Sequence, residues 1–231
     1  KGLAAADRPQ AALTVYGPMA SLLDRVARFG LRLPQDLGAR VVDIAAQAPI
    51  KLGETSAAAG RVAAEAVLRA TRDALAGRMD ALVTAPLNKE SLRAAGYPWP
   101  GHTEMLAEAA GAQDVAMMFV GGNLRVALLT IHQSLRSVPD AITAPEVMRV
   151  GRLVHRELPR FGVAAGRIAV CGLNPHAGEH GLFGREDEEV LRPAVEALRQ
   201  EGIEVSGPLP GDSAFVRASR GEFDAVIACY H

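Results

Sequence analysis

The sequence lacks the features that mark several special classes of protein. It has no apolar run long enough to cross a bilayer, so we expect no membrane-spanning helix and no membrane partner. Its net charge is -1, and its acidic and basic residues are interspersed, so it has no basic stripe for nucleic acid. At 231 residues, of which 49% are hydrophobic, it is long enough to bury a large core in one or two domains.

Cysteine and lysine are both scarce. The cysteines, Cys171 and Cys229, lie inside apolar runs, which predicts buried free thiols and no disulfide. Free thiols fit a reducing compartment, so we expect a cytoplasmic protein. The lysines are Lys1, Lys51 and Lys89, and the last of these stands out because it follows an apolar run.

Three nucleotide-binding and catalytic motifs are absent as well. No G-x-G-x-x-G follows a predicted strand, no G-x-x-x-x-G-K-[ST] occurs, and there is no G-x-S-x-G. Motifs of this kind therefore give no support for a dinucleotide site, a P-loop or a hydrolase nucleophile. The chain also begins without Met and ends on a candidate ligand, His231, so we expect it to be truncated at both ends.

Apolar runs of strand length alternate with amphipathic helical patterns, which predicts an α/β fold. A Pro-Trp-Pro-Gly break at residues 98–101 indicates two domains, 1–100 and 101–231, of which the first lacks its C-terminal return. Gly121-Gly122-Asn123 joins two apolar runs as a hairpin turn would, so we expect a mixed sheet. Strands are predicted at 13–16, 41–45, 80–84, 167–171, 203–205 and 224–229, and helices at 19–29, 56–76, 90–95, 103–110, 145–158, 186–200 and 212–217.

Three histidines, His132, His176 and His231, follow predicted strands. Because the carboxyl ends of parallel strands gather at one edge of a sheet, we expect these imidazoles to converge on one metal ion. Three protein ligands leave one coordination position open, as in catalytic metal sites. The alternative is that each histidine is a solvated loop residue.

Four further side chains lie where they could carry chemistry. His102 and Thr103 lie at the start of a predicted helix, where free N–H groups favour a phosphate or carboxylate, unless Thr103 only caps that helix. Lys89 follows a predicted buried strand and could transfer a proton if burial or a neighbouring cation lowers its pKa; a surface lysine is the alternative. Asp212 could orient a ligand histidine or cap a short helix.

A set of segments from residue 82 onward is specific enough to compare with a known family. The strongest is CGLNPHAGE at 171–179, followed by GRE at 184–186. The others are VTAP at 83–86 with Lys89, GHTE at 101–104, RVAL at 125–128 leading to His132, VPDAI at 138–142, GPLP at 207–210 with Asp212, and YH at 230–231. In these segments the chain resembles the 4-hydroxythreonine-4-phosphate dehydrogenase family.

The resemblance implies a fold and a set of site residues. The fold would be that of the isocitrate and isopropylmalate dehydrogenases, with two α/β/α domains, which bind NAD without the glycine fingerprint. His132, His176 and His231 would hold a divalent metal (Zn, Co or Mg), and His102 and Thr103 would bind the substrate. The active site would lie between domains and at the interface of a homodimer. Most of the NAD site would lie in a C-terminal region beyond residue 231.

The resemblance also implies a reaction. NAD-dependent oxidation and decarboxylation would convert 4-phosphooxy-L-threonine, a small phosphorylated hydroxy acid, to 3-amino-2-oxopropyl phosphate in pyridoxal phosphate (vitamin B6) biosynthesis. A metal on the substrate hydroxyl would lower its pKa as hydride leaves, and would then stabilise the enolate formed as CO₂ is lost. Lys89 is our candidate for proton transfer, and Asp212 is a second catalytic candidate.

Alternatives stay open at this point. Gly211, Ser213-Ala214 and Cys229 depart from the residues usual in the family. These departures leave room for a sister dehydrogenase that acts on a phosphorylated four-carbon sugar acid (4-phospho-threonate or 4-phospho-erythronate) or on a cis-dihydrodiol carboxylate. From a different class, the histidines could serve a metal-dependent hydrolase or lyase without nicotinamide. The last alternative is a non-catalytic metal-binding dimer.

Overall fold

A computed structural model describes residues 11–32, 40–163 and 166–231 of the chain. The chain divides into two compact units after residue 113, whereas the Pro-Trp-Pro break predicted a boundary near residue 100. The difference arises because helix α4 (His102–Ala110) lies beyond the break but packs on α2 (Ala57–Leu75) of the first unit. The predicted first domain also includes residues 1–10 and 33–39, which lie outside the described residues.

The first unit combines a short parallel sheet with helices. Strand β1 (Val15–Gly17) pairs in parallel with β2 (Val41–Asp43). Helix α1 (Met19–Arg28) follows β1 in the sequence. Helices α3 (Lys89–Ala94) and α4 both pack on α2. The centre of this helical cluster is formed by the buried side chains of Ala64, Leu92 and Met105.

Helix α2 begins where the sequence predicted, because Ser56 caps it. The Ser56 Oγ accepts a hydrogen bond from the N–H of Ala59 at 3.2 Å. Helix α3 approaches α2 so closely that a Cβ at Gly60 would lie 1.9 Å from the carbonyl oxygen of Ser91. Ser91 Oγ also accepts a hydrogen bond from the Ser56 N–H at 3.1 Å. Glycine is therefore required where the two backbones touch.

The strand predicted at residues 80–84 is not formed in the part of the chain that the structure describes. The Val83 side chain is 93% exposed. An apolar run is not enough to make a strand, since a strand also needs a neighbour that supplies hydrogen bonds and covers its side chains. The segment leads into α3, which Asn88 caps by accepting a hydrogen bond from the Ser91 N–H at 2.7 Å.

The second unit is built on a five-stranded mixed sheet. Its strands, in chain order, are β3 (Met118–Gly121), β4 (Leu124–Leu128), β5 (Ile168–Cys171), β6 (Val205–Leu209) and β7 (Ala225–Ala228). Their order in the sheet is β3-β4-β7-β5-β6. Strands β3 and β4 form the predicted antiparallel hairpin, and the other neighbouring strands are parallel. The predicted mixed sheet is therefore confirmed.

Helices cover both faces of this sheet. They are the short helix α5 (Val138–Ala141) and three longer helices, α6 (Ala144–Glu157), α7 (Arg192–Gln200) and α8 (Gly211–Ser219). Ile168 and Val170 of β5 pack in the layer of α6 and α7, whereas Ala169 and Cys171 pack in the layer of α8. The unit is thus an α/β/α sandwich. None of the helices that the structure describes is long and apolar enough to span a membrane.

Three elements of the second unit differ from their predicted bounds. Strand β6 covers residues 205–209, so Gly207-Pro208 lies in a strand where a loop was predicted. Gly207 permits this because a Cβ there would lie 2.6 Å from the carbonyl oxygen of Val170. The predicted helix at 186–200 begins with a π-helical turn, Asp187–Leu191, before α7. Strand β7 covers residues 225–228, so it is one residue shorter at each end than the predicted strand at 224–229.

Candidate functional site

The carboxyl ends of three neighbouring parallel strands meet at one edge of the second unit. Strands β4, β7 and β5 lie side by side, and the chain leads from them to His132, His231 and His176, respectively. All three imidazoles are exposed. Parallel α/β sheets usually bind their ligands at this edge.

His132 and His231 lie close together because the pairing of β4 with β7 continues past both strands. Thr130 donates to the carbonyl oxygen of Cys229 through its N–H at 3.2 Å and through its Oγ1 at 2.8 Å. His132 lies two residues after Thr130, and His231 lies two residues after Cys229. The two rings therefore come close, with their centroids 6.0 Å apart. The Phe119 ring meets His231 edge-on, with centroids 5.2 Å apart.

His176 lies on a tight turn after β5, and its backbone is in the left-handed region with φ 55°. Its ring centroid lies 6.3 Å from that of Phe183. Among residues 11–32, 40–163 and 166–231, no group of three His, Cys, Asp or Glu side chains is close enough to hold a metal ion. Two imidazoles come together here and the third does not, so these residues as they stand do not fit a three-ligand metal site.

A buried carboxylate that the sequence pattern did not reveal holds the turn before His176. Asp187 is 0% exposed. Its Oδ1 accepts a hydrogen bond from the Leu173 N–H at 2.9 Å, and its Oδ2 accepts from the N–H and Nδ2 of Asn174 at 3.1 Å and 2.9 Å. In the sequence Asp187 is one of several acids that follow Gly184-Arg185, a pattern that fits a solvated helix start equally well.

Glu186 brings a second acidic group to this turn. Its Oε2 accepts a hydrogen bond from the Asn174 Nδ2 at 2.8 Å. A hydrogen bond from its own backbone N–H, and then the one from Asn174, lower the pKa of Glu186 below its ordinary value. The side-chain amide of Asn174 is therefore held by two neighbouring carboxyl groups.

The candidate anion-binding residues lie in the first unit at the start of α4. His102 and Thr103 are its first two residues, and both are half-buried. The N-cap residue is Gly101, so the capping alternative for Thr103 is wrong. The Nε2 atom of His102 is buried and has no hydrogen-bond partner within the described residues. A buried nitrogen without a partner is destabilising, and a bound ligand would relieve that cost.

The two catalytic candidates are both exposed. Lys89 is the first residue of α3 and faces solvent, so the burial expected for a proton-transfer role is not found in the described structure. Asp212 is the second residue of α8, and its Oδ1 accepts a hydrogen bond from the Ser213 N–H at 2.8 Å. The N-cap residue is Pro210, two positions before Asp212, so the capping alternative for Asp212 is wrong.

A cavity of about 380 Å³ lies at the other end of the parallel strands, near the starts of β4 and β7. Arg125 and Asp224 are among the residues that line it. Partial burial raises the pKa of Asp224, but hydrogen bonds from Arg167 outweigh this effect and keep the pKa below its ordinary value. This ion pair ties the starts of β5 and β7 together. The cavity is therefore separate from the edge that carries the histidines.

Known proteins resemble this chain over nearly its whole length. Residues 14–231 match the family described as pyridoxal phosphate biosynthetic protein PdxA. The chain belongs to this family. The resemblance indicated by the segments at 101–104 and 171–179 is thereby confirmed.

Relatives of this PdxA-family chain are named as dehydrogenases. It is 44% identical over 234 residues to the 4-hydroxythreonine-4-phosphate dehydrogenase of Chromobacterium violaceum, which covers 96% of this chain and 71% of that protein. It is 50% identical over 183 residues to the D-threonate 4-phosphate dehydrogenase of Cupriavidus necator, which covers 79% of this chain and 55% of that protein. The chain thus spans a little over half of the length of the second relative.

Solved structures show the same fold. The 1.25 Å crystal structure of 4-hydroxythreonine-4-phosphate dehydrogenase from Klebsiella pneumoniae matches with a TM-score of 0.92 and 39% identity, over 100% of this chain and 74% of that one. A terephthalate 1,2-cis-dihydrodiol dehydrogenase from Burkholderia xenovorans matches with a TM-score of 0.63 and 31% identity, over 93% of this chain and 70% of that one. The predicted α/β fold class is confirmed.

Proposed function

We propose that this chain acts in the NAD-dependent oxidation and decarboxylation of 4-phosphooxy-L-threonine in pyridoxal phosphate biosynthesis. The observation that carries the proposal is the 44% identity to a 4-hydroxythreonine-4-phosphate dehydrogenase over 96% of the chain. In this reaction a hydride passes from the carbinol carbon to NAD⁺ and the hydroxyl proton is released. The resulting β-keto acid loses CO₂ and takes up a proton at carbon, which gives 3-amino-2-oxopropyl phosphate.

The first unit has groups suited to an anionic substrate. The Nε2 of His102, which has no hydrogen-bond partner in the part of the chain that the structure describes, lies in the first turn of α4 with the hydroxyl of Thr103. Backbone N–H groups and the helix dipole favour an anion at the same place. His102 and Thr103 would therefore bind a negatively charged group of the substrate. Lys89 is our candidate for proton transfer, and Asp212 is the second catalytic candidate.

His132, His176 and His231 are our proposed ligands for a divalent cation, either zinc, cobalt or magnesium. The 6.0 Å separation of the His132 and His231 rings supports two of the three assignments. Imidazole suits zinc and cobalt better than it suits magnesium. His176 would have to turn its ring away from the position beside Phe183 to join them. A bound cation would supply a Lewis acid at this edge of the sheet.

A homodimer with the active site at its interface and NAD as the hydride acceptor belong to the same proposal. Strand β3 lies at an edge of the sheet, where Phe119 and Val120 are exposed, and this supports a surface for a second subunit. We also propose a cytoplasmic location. The buried free thiols of Cys171 and Cys229 support it, since free thiols persist in reducing compartments.

Oxidation of D-threonate 4-phosphate is the second candidate function. The 50% identity to a D-threonate 4-phosphate dehydrogenase favours it. Both candidate substrates are phosphorylated hydroxy acids, so the same anion-binding residues would serve either one. The cis-dihydrodiol alternative has weaker support, because that relative is 31% identical. The relatives compared above are named dehydrogenases, which disfavours the hydrolase, lyase and non-catalytic alternatives.

NADH absorbance distinguishes these functions. We expect the full-length protein, supplied with NAD⁺ and a divalent metal, to form NADH fastest with 4-phosphooxy-L-threonine, compared with D-threonate 4-phosphate and the cis-dihydrodiol of terephthalate. His176→Ala should abolish metal-dependent NADH formation, because it removes a proposed ligand. His155→Ala is the matched control, since this exposed histidine lies in α6 outside the site.

Each contrary outcome has a definite meaning. Faster NADH formation with D-threonate 4-phosphate would establish the second candidate in place of the first. Full turnover after removal of the metal by a chelator would contradict the ligand assignment. Metal-dependent hydrolysis without NADH formation would contradict a dehydrogenase of either kind.

A further inference from the structure

We propose that Asp187 is a positioning residue, which fixes the turn that presents His176 at the edge of the sheet. The inference rests on the proposed function, in which His176 takes part in the site. Asp187 is not one of the expected ligands or substrate-binding residues. It acts on the site through Leu173 and Asn174, which precede His176 in the chain.

The first argument is the set of hydrogen bonds that Asp187 accepts. Its carboxylate is 0% exposed, and both of its oxygens are engaged by Leu173 and Asn174 at distances of 2.9 to 3.1 Å. A carboxylate is costly to remove from water unless hydrogen bonds compensate it. The bonds that make this burial possible are therefore the same bonds that hold the turn.

The second argument is the packing of two glycines on the same carboxylate. A Cβ at Gly172 would lie 2.7 Å from the Asp187 Oδ1, and one at Gly178 would lie 3.2 Å from its Oδ2. Gly172 precedes His176 and Gly178 follows it. Asp187 thus contacts the backbone on both sides of the short segment that carries the imidazole.

The third argument is the backbone conformation of that segment. His176 and Ala177 have φ values of 55° and 52°, in the left-handed region that residues with a Cβ adopt only at a cost. Glu179 and His180, which follow, have φ values of 41° and 56°. Such a conformation persists only where the surrounding structure determines it. The hydrogen bonds from Leu173 and Asn174 to Asp187 hold the backbone that leads into this segment.

Asp187→Asn tests this role with little change in side-chain size. One oxygen becomes an NH₂ group, which cannot accept a hydrogen bond from Leu173 or Asn174. The control is Val195→Ala, which shortens a buried side chain of α7 and destabilises the same unit without removing a hydrogen bond of the turn. A second variant, Asn174→Ala, removes only the side-chain hydrogen bonds to Asp187 and Glu186.

Two measurements separate positioning from a general loss of stability. With the proposed substrate, at a temperature where both variants are folded, we expect kcat to fall at least about tenfold in Asp187→Asn, because misplacing a reacting group by about 1 Å can cost about 100-fold. Val195→Ala should keep the kcat of the parent. Hydrogen exchange followed by mass spectrometry should rise only in residues 172–184 for Asp187→Asn, and across the whole unit for Val195→Ala.

The proposal is overturned if Asp187→Asn keeps the kcat of the parent, or if its exchange rises across the whole unit as in the control. Should Asp187→Asn fail to fold, Asn174→Ala decides the question by the same two measurements. If the parent forms no NADH with any of the three substrates, the proposed function fails. The pattern of hydrogen exchange then decides the role of Asp187 by itself.

Discussion

The Asp73 carboxylate in α2 is buried and accepts hydrogen bonds from the Tyr16 hydroxyl and from Nη2 of Arg78, both at 2.6 Å. The hydrogen bond from Arg78, and then the one from Tyr16, lower the pKa of Asp73 below its ordinary value. Burial, followed by the bond to Asp73, raises the pKa of Tyr16. Both pKa shifts favour the state in which the Tyr16 hydroxyl donates a hydrogen bond and the Asp73 carboxylate is ionised.

At the residue scale we expect Asp73→Asn to lose stability in a pH-dependent way. Because the folded-state pKa is lowered, the ionised carboxylate stabilises the fold above the pKa of the unfolded chain, and this contribution is lost as the pH falls below about 4. Urea unfolding between about pH 3 and about pH 7 measures the difference in free energy between parent and variant. That difference should shrink toward acid pH. A constant difference would contradict the prediction, and Asp80→Asn, at an exposed position, is the control.

Single residues were predictable from the sequence where strand patterns place them. His132 and His231 approach each other because each follows an apolar run by a fixed spacing, and the runs pair in register. The direction of the His176 ring was not predictable, because it depends on left-handed backbone angles in the turn. Asp187 was missed for a related reason, since its hydrogen bonds reach residues that are distant in the sequence.

At the element scale, the contact between α2 and α3 depends on the absence of one side chain. We expect Gly60→Ala to lower the free energy of unfolding by about 3 kcal/mol, the upper end of the usual cost of overpacking. The reason is that the new Cβ would lie 1.9 Å from the Ser91 carbonyl oxygen, so the helices must separate. Glu65→Ala, at an exposed position of α2, should change stability by less than about 0.5 kcal/mol.

Chemical unfolding of the two α2 variants measures both effects. Equal stability of Gly60→Ala and the parent would show that the two backbones do not touch at this position. A loss in Glu65→Ala as large as that in Gly60→Ala would show that α2 is sensitive to any substitution.

Elements were predictable where the local sequence decides their form. The hairpin turn at Gly121-Gly122-Asn123 and the Ser56 cap both act over a few residues, and both are present. Strand β6 was misplaced because Gly207-Pro208 resembles a loop, whereas the close approach of Gly207 to Val170 is a long-range contact. The strand predicted at 80–84 failed because an apolar run does not reveal whether a neighbouring strand is present.

At the scale of the whole second unit, the two cysteines lie in different layers of the sandwich. Cys171 packs in the layer of α8, and Cys229 packs in the layer of α6 and α7. Burial raises the pKa of Cys171 to about 11 and also raises the pKa of Cys229. Neither thiol is therefore ionised near neutral pH, and neither is accessible.

We expect neither thiol to react with a disulfide reagent near neutral pH until this unit unfolds. Because the two side chains lie on opposite faces of the sheet, exposing both requires disruption of both layers. Absorbance of the released reagent should show no fast reaction in buffer and two equivalents per chain in guanidinium chloride, since the sequence has two cysteines. His180→Cys, at an exposed position, should add one fast equivalent. Fast reaction of the parent in buffer would contradict the described packing.

The loop that carries His176 is anchored at both ends: Leu173 and Asn174 donate hydrogen bonds to Asp187, and a Cβ at Gly184 would lie 2.6 Å from the Asn174 Nδ2. Between these points Leu182 is 71% exposed. Exposed loop tips tolerate added groups when the backbone on either side is anchored. A fluorescent dye attached at Leu182 would therefore lie on the loop that follows His176 and would leave the hydrogen bonds to Asp187 intact. Binding of a ligand at this surface would then change the fluorescence of the dye, so binding could be measured without turnover.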